Sequence, residues 1–231
     1  NFLMDLIGNI LEVARIESGK ETLTETAWNL CNLEDTLDLL LDRDIYKKQL
    51  TLKKNMELQH PKVYCDVLKI QEITMNLLSN AVKYTPEGGT IHFTIRELPY
   101  EREGYALFQT VVEDTGIGIS KEYIPHLFEA FSREKSSSES GIIGTGLGLR
   151  IVKKFVDLME GSIVVESEIG EGTRFTVTIP HRIATANEYI SEENAKELPE
   201  EIKLNNVRIL LAEDNMLNAE IAMTILEEYG F

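Results

Sequence analysis

Two layers, helices packed on a sheet of antiparallel strands, are what this sequence predicts. Two observations carry the expectation: helical periods over residues 66–84 and 150–160, and strand alternation over residues 90–97, 105–114 and 161–180. Helices interspersed with antiparallel strands imply a two-layer α/β sandwich. Taken in order, "FLMDLIGNILEVARIE" at residues 2–17 places Leu3, Leu6, Ile7, Ile10, Leu11 and Ala14 on one helical face before "SGK" ends the pattern. A second helix is expected from Asn32 as cap, with Glu34 and Asp35 in its first turn, to about Tyr46. Short strands follow at "LTLKKNM" and "KVYCD", then the long helix "DVLKIQEITMNLLSNAVKY". "TIHFTIRE" and "YALFQTVVED" read as paired strands, and "GSIVVESEIGEGTRFTVTIP" as a hairpin about a Gly-Glu-Gly turn.

Composition narrows the function classes. A chain of 231 residues with 43% hydrophobic content supports a packed core. Its 39 acidic against 23 basic residues give a net charge of −16, which argues against nucleic acid or an anionic membrane as main partner. Two cysteines, Cys31 and Cys65, make no disulfide framework, which fits a reducing compartment and a cytoplasmic location. Residues 184–205 hold six glutamates and two lysines and read as an acidic linker. Beyond it, residues 206–231 form a buried-type strand, a turn and an amphipathic helix, the start of a longer α/β unit. The chain begins at Asn1 without a methionine and is expected to be a fragment.

Three stretches carry candidate chemistry. On the long helix Glu72, Asn76, Asn80 and Lys83 fall at i, i+4, i+8 and i+11, within about an 80° arc at roughly 100° per residue. The opposite face, Leu68, Ile70, Ile73, Leu77, Leu78, Ala81 and Val82, is apolar. The stripe fits a solvated face, yet asparagine is a mediocre interior helix former and its amide oxygen can ligate magnesium. "EDTGIGI" ends a strand in a carboxylate with glycines two apart. It fits either an Asx-type turn or a cleft where Asp114 accepts from an amino group and Gly116 and Gly118 admit a flat ring. "GIIGTGLGLRIVKKF" puts four glycines into eight residues before a helix whose Leu149, Val152, Phe155, Val156 and Met159 are apolar. That loop fits a phosphate cradle at a helix N-terminus or a flexible hinge. Neither the dinucleotide G-x-G-x-x-G spacing nor the P-loop pattern is met.

In fixed order, "NLLSNAVKYTPEGG", "EDTGIGI", "LFEAFSR", "GTGLGLRIVKKF" and "GEGTRFTVTIP" resemble the N box, first glycine box, F box, second and third glycine boxes of the sensor histidine kinases. The resemblance runs over roughly residues 20–182. It implies the Bergerat (GHKL) ATP-binding fold over residues 20–183. Residues 1–19, with "RIESGK", resemble the second helix of the family's dimerisation and phosphoacceptor hairpin. "ILLAEDNMLN", with Glu213 and Asp214, is similar to the opening of a response-regulator receiver domain. The whole is identified as a piece of a hybrid histidine kinase.

What the resemblance implies is residue-specific. Asp114 holds the adenine amine, with Gly116, Gly118 and Thr173 around the base, and Asn80 ligates the magnesium bridging the phosphates. Asn76 and Lys83 flank the phosphate chain, Tyr84 packs by the nucleoside, and Gly144, Thr145, Gly146, Leu147 and Gly148 cradle the triphosphate. Residues 132–143 form a lid from which Arg133 reaches the phosphates, and Glu72 helps orient a nucleophile. The partners implied are ATP, a phosphoacceptor histidine of its own or a partner subunit, a receiver domain, and a second copy in a full-length homodimer that is free to be anchored in the inner membrane. His60, His92, His126 and His181 all lack the acceptor context and are read as structural, so the acceptor is expected outside this chain. Related ATPases place a glutamate where Asn76 stands, and an amide cannot act as general base, which favours transfer over hydrolysis. A GHKL ATPase and a degenerate, nucleotide-binding interaction module are the alternatives.

Overall fold

Each strand period expected within residues 50–182 becomes a strand, but their order in the sheet follows from long-range pairing. The computed structural model describes residues 21–132 and 146–185, with the isolated helical positions Gly8, Leu11 and Met223. The helix expected over residues 2–17, the lid beyond Ser132, the acidic segment beyond Thr185 and the unit over 206–231 lie outside the described residues. The chain divides into two units, Asn1–Tyr189 and Ile190–Phe231, and every element below belongs to the first.

Seven strands form one sheet: β1 (Thr26–Asn29), β2 (Thr51–Glu57), β3 (Lys62–Cys65), β4 (Thr90–Leu98), β5 (Tyr105–Asp114), β6 (Ser162–Glu168) and β7 (Gly172–Ile183). Their order is β1-β3-β7-β5-β4-β2, with β6 also paired to β7. All pairs are antiparallel except β2 with β4, where Thr51 lies opposite Thr90 and the strands run parallel. A parallel pair requires a crossover, and the connection from β2 to β4 includes an entire helix. The sheet is therefore mixed, where the sequence indicated antiparallel pairs only. β1 was not foreseen either: four residues are too few for a period, and its register against β3, Trp28 opposite Val63, is what makes it a strand.

Three helices, α1 (Asn32–Lys47), α2 (Val67–Tyr84) and α3 (Gly148–Leu158), make the second layer, with α2 packed between α1 and α3. The inward alternation of the sheet meets them. Ile91, Phe93 and Ile95 of β4, Ala106, Phe108 and Val112 of β5, and Phe175, Val177 and Ile179 of β7 are buried with Leu77, Leu78, Ile151 and Phe155 from the helices. Each such side chain contributes about 1.5–3 kcal/mol by leaving water.

Local chemistry sets the helix ends, with two corrections. The cap of α1 is Cys31, with no side-chain bond, and Asn32 is the first helical residue; it is Asn29 whose Oδ1 accepts the Cys31 N–H at 3.1 Å. Leu68, grouped above with the apolar face of α2, is 76% exposed, because at about 100° per residue it stands one turn before Glu72, on the side of the polar stripe and away from Ile73 and Leu77. At the same end Asp66 caps α2, accepting the Lys69 N–H at 3.2 Å while also accepting the Thr24 N–H at 2.9 Å. The other end of α2 is held from outside. Lys48 Nζ, just past α1, donates to the carbonyls of Val82, Lys83 and Thr85 at 2.8, 2.8 and 3.0 Å. Tyr84 O accepts from Ile117 N at 3.3 Å, and Ala81 O from Thr85 N at 2.9 Å, so the carbonyls that a helix C-terminus leaves open are all engaged. No described helix is long and apolar enough to cross a membrane.

Candidate functional site

The apolar rows of β5 and β7 turn polar at one end of the sheet, and there the site begins. Asp114 is the last residue of β5 and Thr173, opposite it on β7, is the second of that strand; each is 7% exposed. Antiparallel partners share a face, so both side chains stand on the helix-covered side. Asp114 Oδ1 accepts the Gly116 N–H at 2.8 Å, and the carboxylate also accepts from the Thr173 backbone N–H. Burial outweighs those two donors and pushes the Asp114 pKa up to about 6. A carboxyl raised above the ordinary carboxylate range by burial while still accepting from two backbone N–H groups is the kind of perturbed group that clusters at functional sites.

The loop after Asp114 is fitted to its neighbours through backbone. A Cβ on Gly116 would meet Asp114 Oδ1 and, at 2.8 Å, Tyr84 O, so only glycine lets this loop lie against the end of α2. Gly118 has φ +71° and its missing Cβ points at the Glu168 carbonyl of the β6–β7 hairpin. Gly170 N donates to Ile117 O at 2.9 Å and Ile119 N to Ser167 Oγ at 2.8 Å, stitching loop and hairpin together. Ser167 was not singled out in the sequence, although it is a polar residue on the inward-facing positions of an alternating strand, after Ile163 and Val165.

The polar stripe of α2 reaches the start of α3. Asn76 Nδ2 donates to Glu72 O at 3.0 Å, and its Oδ1 lies 2.5 Å from where a Cβ of Gly148 would sit, so the stripe touches the start of α3. Glu72, Asn80, Lys83 and Tyr84 are half-buried along it, with Lys83 Nζ 5.2 Å from the Tyr84 ring centre. Gly146, at φ +70°, accepts from Phe131 N at 3.1 Å through its carbonyl and joins the F-box segment to the start of α3. The Leu147 side chain is 1% exposed and belongs to the core, which leaves its backbone alone to face the loop. Contacts thus join Asp114, Thr173, Gly116 and Tyr84 at the end of β5, with Gly118 against the hairpin, and separately join Asn76 to Gly148. Glu72, Asn80 and Lys83 lie on the same helix as Asn76 and Tyr84, and Gly146 precedes α3. Arg133, Gly144 and Thr145 lie outside the described residues. The four histidines stand apart: His60 and His126 pair with Glu97 and Glu129 at 2.6 and 2.8 Å, His92 is exposed on β4, and His181 is buried on β7.

Among protein families, the model described as histidine kinase-, DNA gyrase B-, and HSP90-like ATPase matches residues 65–183. The chain belongs to that family. Within it, this GHKL domain is the kind found in sensor histidine kinases. Over 98% of its length the chain is 31% identical to the autoinducer 2 sensor kinase/phosphatase LuxQ of Vibrio vulnificus, covering 26% of that protein. To the sensor protein GacS of Pseudomonas syringae it is 34% identical over 99% of its length, covering 24%. The chain thus spans about a quarter of the length of these relatives. The catalytic domain of histidine kinase ThkA superposes with a TM-score of 0.57 at 27% identity, over 69% of this chain and 96% of that one. Full-length ShkA in complex with AMPPNP shares the fold, at a TM-score of 0.66 and 23% identity, over 99% of this chain and 44% of that one.

Proposed function

We propose that this GHKL domain binds magnesium-ATP in the cleft between α2, the Asp114–Ile119 loop and the start of α3, and donates the γ-phosphoryl to a histidine outside this chain for relay to a receiver aspartate. The observation that carries the reading is the buried Asp114 carboxylate beside Thr173, at the head of a glycine loop packed closely on the end of α2 and on the β6–β7 hairpin. An ionised carboxylate there accepts from the exocyclic amine of adenine, a charge-assisted bond worth about 1.5–3 kcal/mol. Gly116 and Gly118 let the loop lie tight against Tyr84 O and the Glu168 carbonyl, which holds Asp114 in place for the base, and Tyr84 flanks the nucleoside. Asn76, Lys83 and the backbone of Gly146, Leu147 and Gly148 face the phosphates, and the motif match carries the same role to Arg133, Gly144 and Thr145.

The residues present fit a magnesium ion carried by the nucleotide. The described residues include no cluster of three or more His, Cys, Asp or Glu that could hold a metal unaided. Asn80 offers one neutral, hard oxygen, the sparse protein share expected where phosphates and water complete the shell. When bound, the ion neutralises phosphate charge as the loose transition state forms. The chain's own residues position the phosphates, and Asn76, an amide beside the reacting end, leaves water without a general base. Glu72 orients the acceptor.

Calorimetric titration of magnesium-ATP into the chain and into Asp114→Asn tests the reading. Saturable binding lost in the variant supports it. Absence of binding to both sinks it in favour of an interaction module, and steady phosphate release by the chain alone favours an ATPase.

A further inference from the structure

Three polar side chains stand in a row across three strands: Asp114 on β5, Thr173 opposite it on β7, and Ser167 opposite Thr173 on β6. Opposed residues of antiparallel strands share a face, so the row runs along the floor of the cleft. Ser167 has no part in the binding scheme above, yet its hydroxyl makes three contacts. It accepts the Ile119 N–H at 2.8 Å, donates to Gly172 O at 2.8 Å, and lies 2.9 Å from Thr173 Oγ1.

Counting protons decides the last bond. A hydroxyl has a single proton, and a carbonyl oxygen can only accept. The Ser167 proton is therefore committed to Gly172 O, and the bond between the two hydroxyls must be donated by Thr173. With its proton turned toward Ser167, the Thr173 oxygen has only lone pairs left for anything in the cleft. Beside it, the ionised Asp114 carboxylate is likewise an acceptor.

We infer that Ser167 is a positioning residue that sets base selectivity: by holding the Thr173 proton it leaves two acceptors at the base end of the cleft, which welcome a 6-amino purine and repel the carbonyl of a 6-oxo purine. The inference rests on the nucleotide reading of this cleft. Without Ser167 the Thr173 hydroxyl is free to rotate and donate to a 6-oxo group, so discrimination falls even though Asp114 is intact.

ATP and inosine triphosphate differ in the base at the 6-substituent and in the proton the 6-oxo base carries on N1. Both are titrated into the whole chain, and because the native chain and the variants meet the same two bases, the change in their affinity ratio on substitution reads the effect. The native chain is expected to prefer ATP strongly. Ser167→Ala narrows the ATP-to-ITP affinity ratio by about tenfold, the difference one ordinary hydrogen bond makes, and Ser167→Thr, which keeps the hydroxyl, restores it. An equal loss of affinity for both nucleotides means that Ser167 only braces the Ile119 loop, and overturns the inference. Should Ser167→Ala fail to fold, Thr173→Val removes the oriented acceptor itself and must narrow the ratio too; an unchanged ratio there overturns the inference equally. Failure of the native chain to bind ATP removes the nucleotide reading, whereas ATP binding with an unaltered ratio in the variants removes this inference alone.

Discussion

Replacing Asp114 by asparagine is expected to make the free domain more stable and its nucleotide site useless. The folded carboxyl has its pKa raised from 3.8 to about 6, chiefly by burial. A group whose folded pKa lies above its unfolded value contributes stability that is full below pH 3.8 and is lost as pH rises through 6. At roughly 1.4 kcal/mol per unit, the ionised carboxylate costs the free fold about 3 kcal/mol by pH 8. Asparagine has the same shape without the charge. Its oxygen still accepts the Gly116 N–H, while its amide nitrogen cannot accept the Thr173 N–H, a loss of about 1 kcal/mol. The net gain at pH 8 is about 1–2 kcal/mol, or roughly 2–8 °C in melting temperature for a domain of this size, and it shrinks to nothing or reverses near pH 4. Thermal melts of both proteins at pH 8 and pH 4.5 measure this. In parallel, ATP affinity falls about ten- to 150-fold in the variant, the equivalent of one charge-assisted bond. A variant less stable than the native chain at pH 8, or a stability difference that does not depend on pH, refutes the reasoning about burial.

Three further outcomes are expected. Lys48→Met takes the donor from three carbonyls at the end of α2 and should lower stability in urea melts by about 2 kcal/mol; no loss would mean that water serves those carbonyls as well as the ammonium does. Gly118→Ala forces a side chain into a φ of +71° against the Glu168 carbonyl, and a loss of about 2–3 kcal/mol with weakened ATP binding is expected, to be checked by calorimetric melting and titration. His181, 4% exposed, has its pKa lowered from 6.5 to about 4 by burial, against a smaller opposing effect of the Tyr64 backbone. Its folded pKa lies below the unfolded one, so the unfolded chain binds the extra proton and stability falls as pH drops from 6.5 toward 4, by up to about 3 kcal/mol. His181→Leu should remove that acid sensitivity relative to the native chain; an unchanged pH slope in denaturant titrations would show that the histidine titrates freely.

The periods of 3.6 and 2 made most elements legible because each reports which face of a short segment leaves water. Asp114 at a strand end, the glycines after it and the amide stripe on α2 were legible for a related reason: each is a local departure from what a merely buried or merely solvated segment requires. Leu68 was grouped with the apolar face for its type, yet its spacing, one turn before Glu72, puts it on the side of the polar stripe, and it is exposed there. β1 is a strand because β3 lies beside it, not because of anything in "TAWN". Lys48 reaches carbonyls more than thirty residues away, and Ser167 meets Ile119 across 48 residues of chain.

By itself, then, the sequence determined the elements, their inward faces and the ordered motifs by which the family is recognisable, because those depend on neighbours a few residues apart. Only the tertiary structure decided the parallel pairing of β2 with β4, the external cap on α2 and the hydroxyl row from Ser167 to Asp114. These depend on strand order and register, which bring residues from three strands into one row.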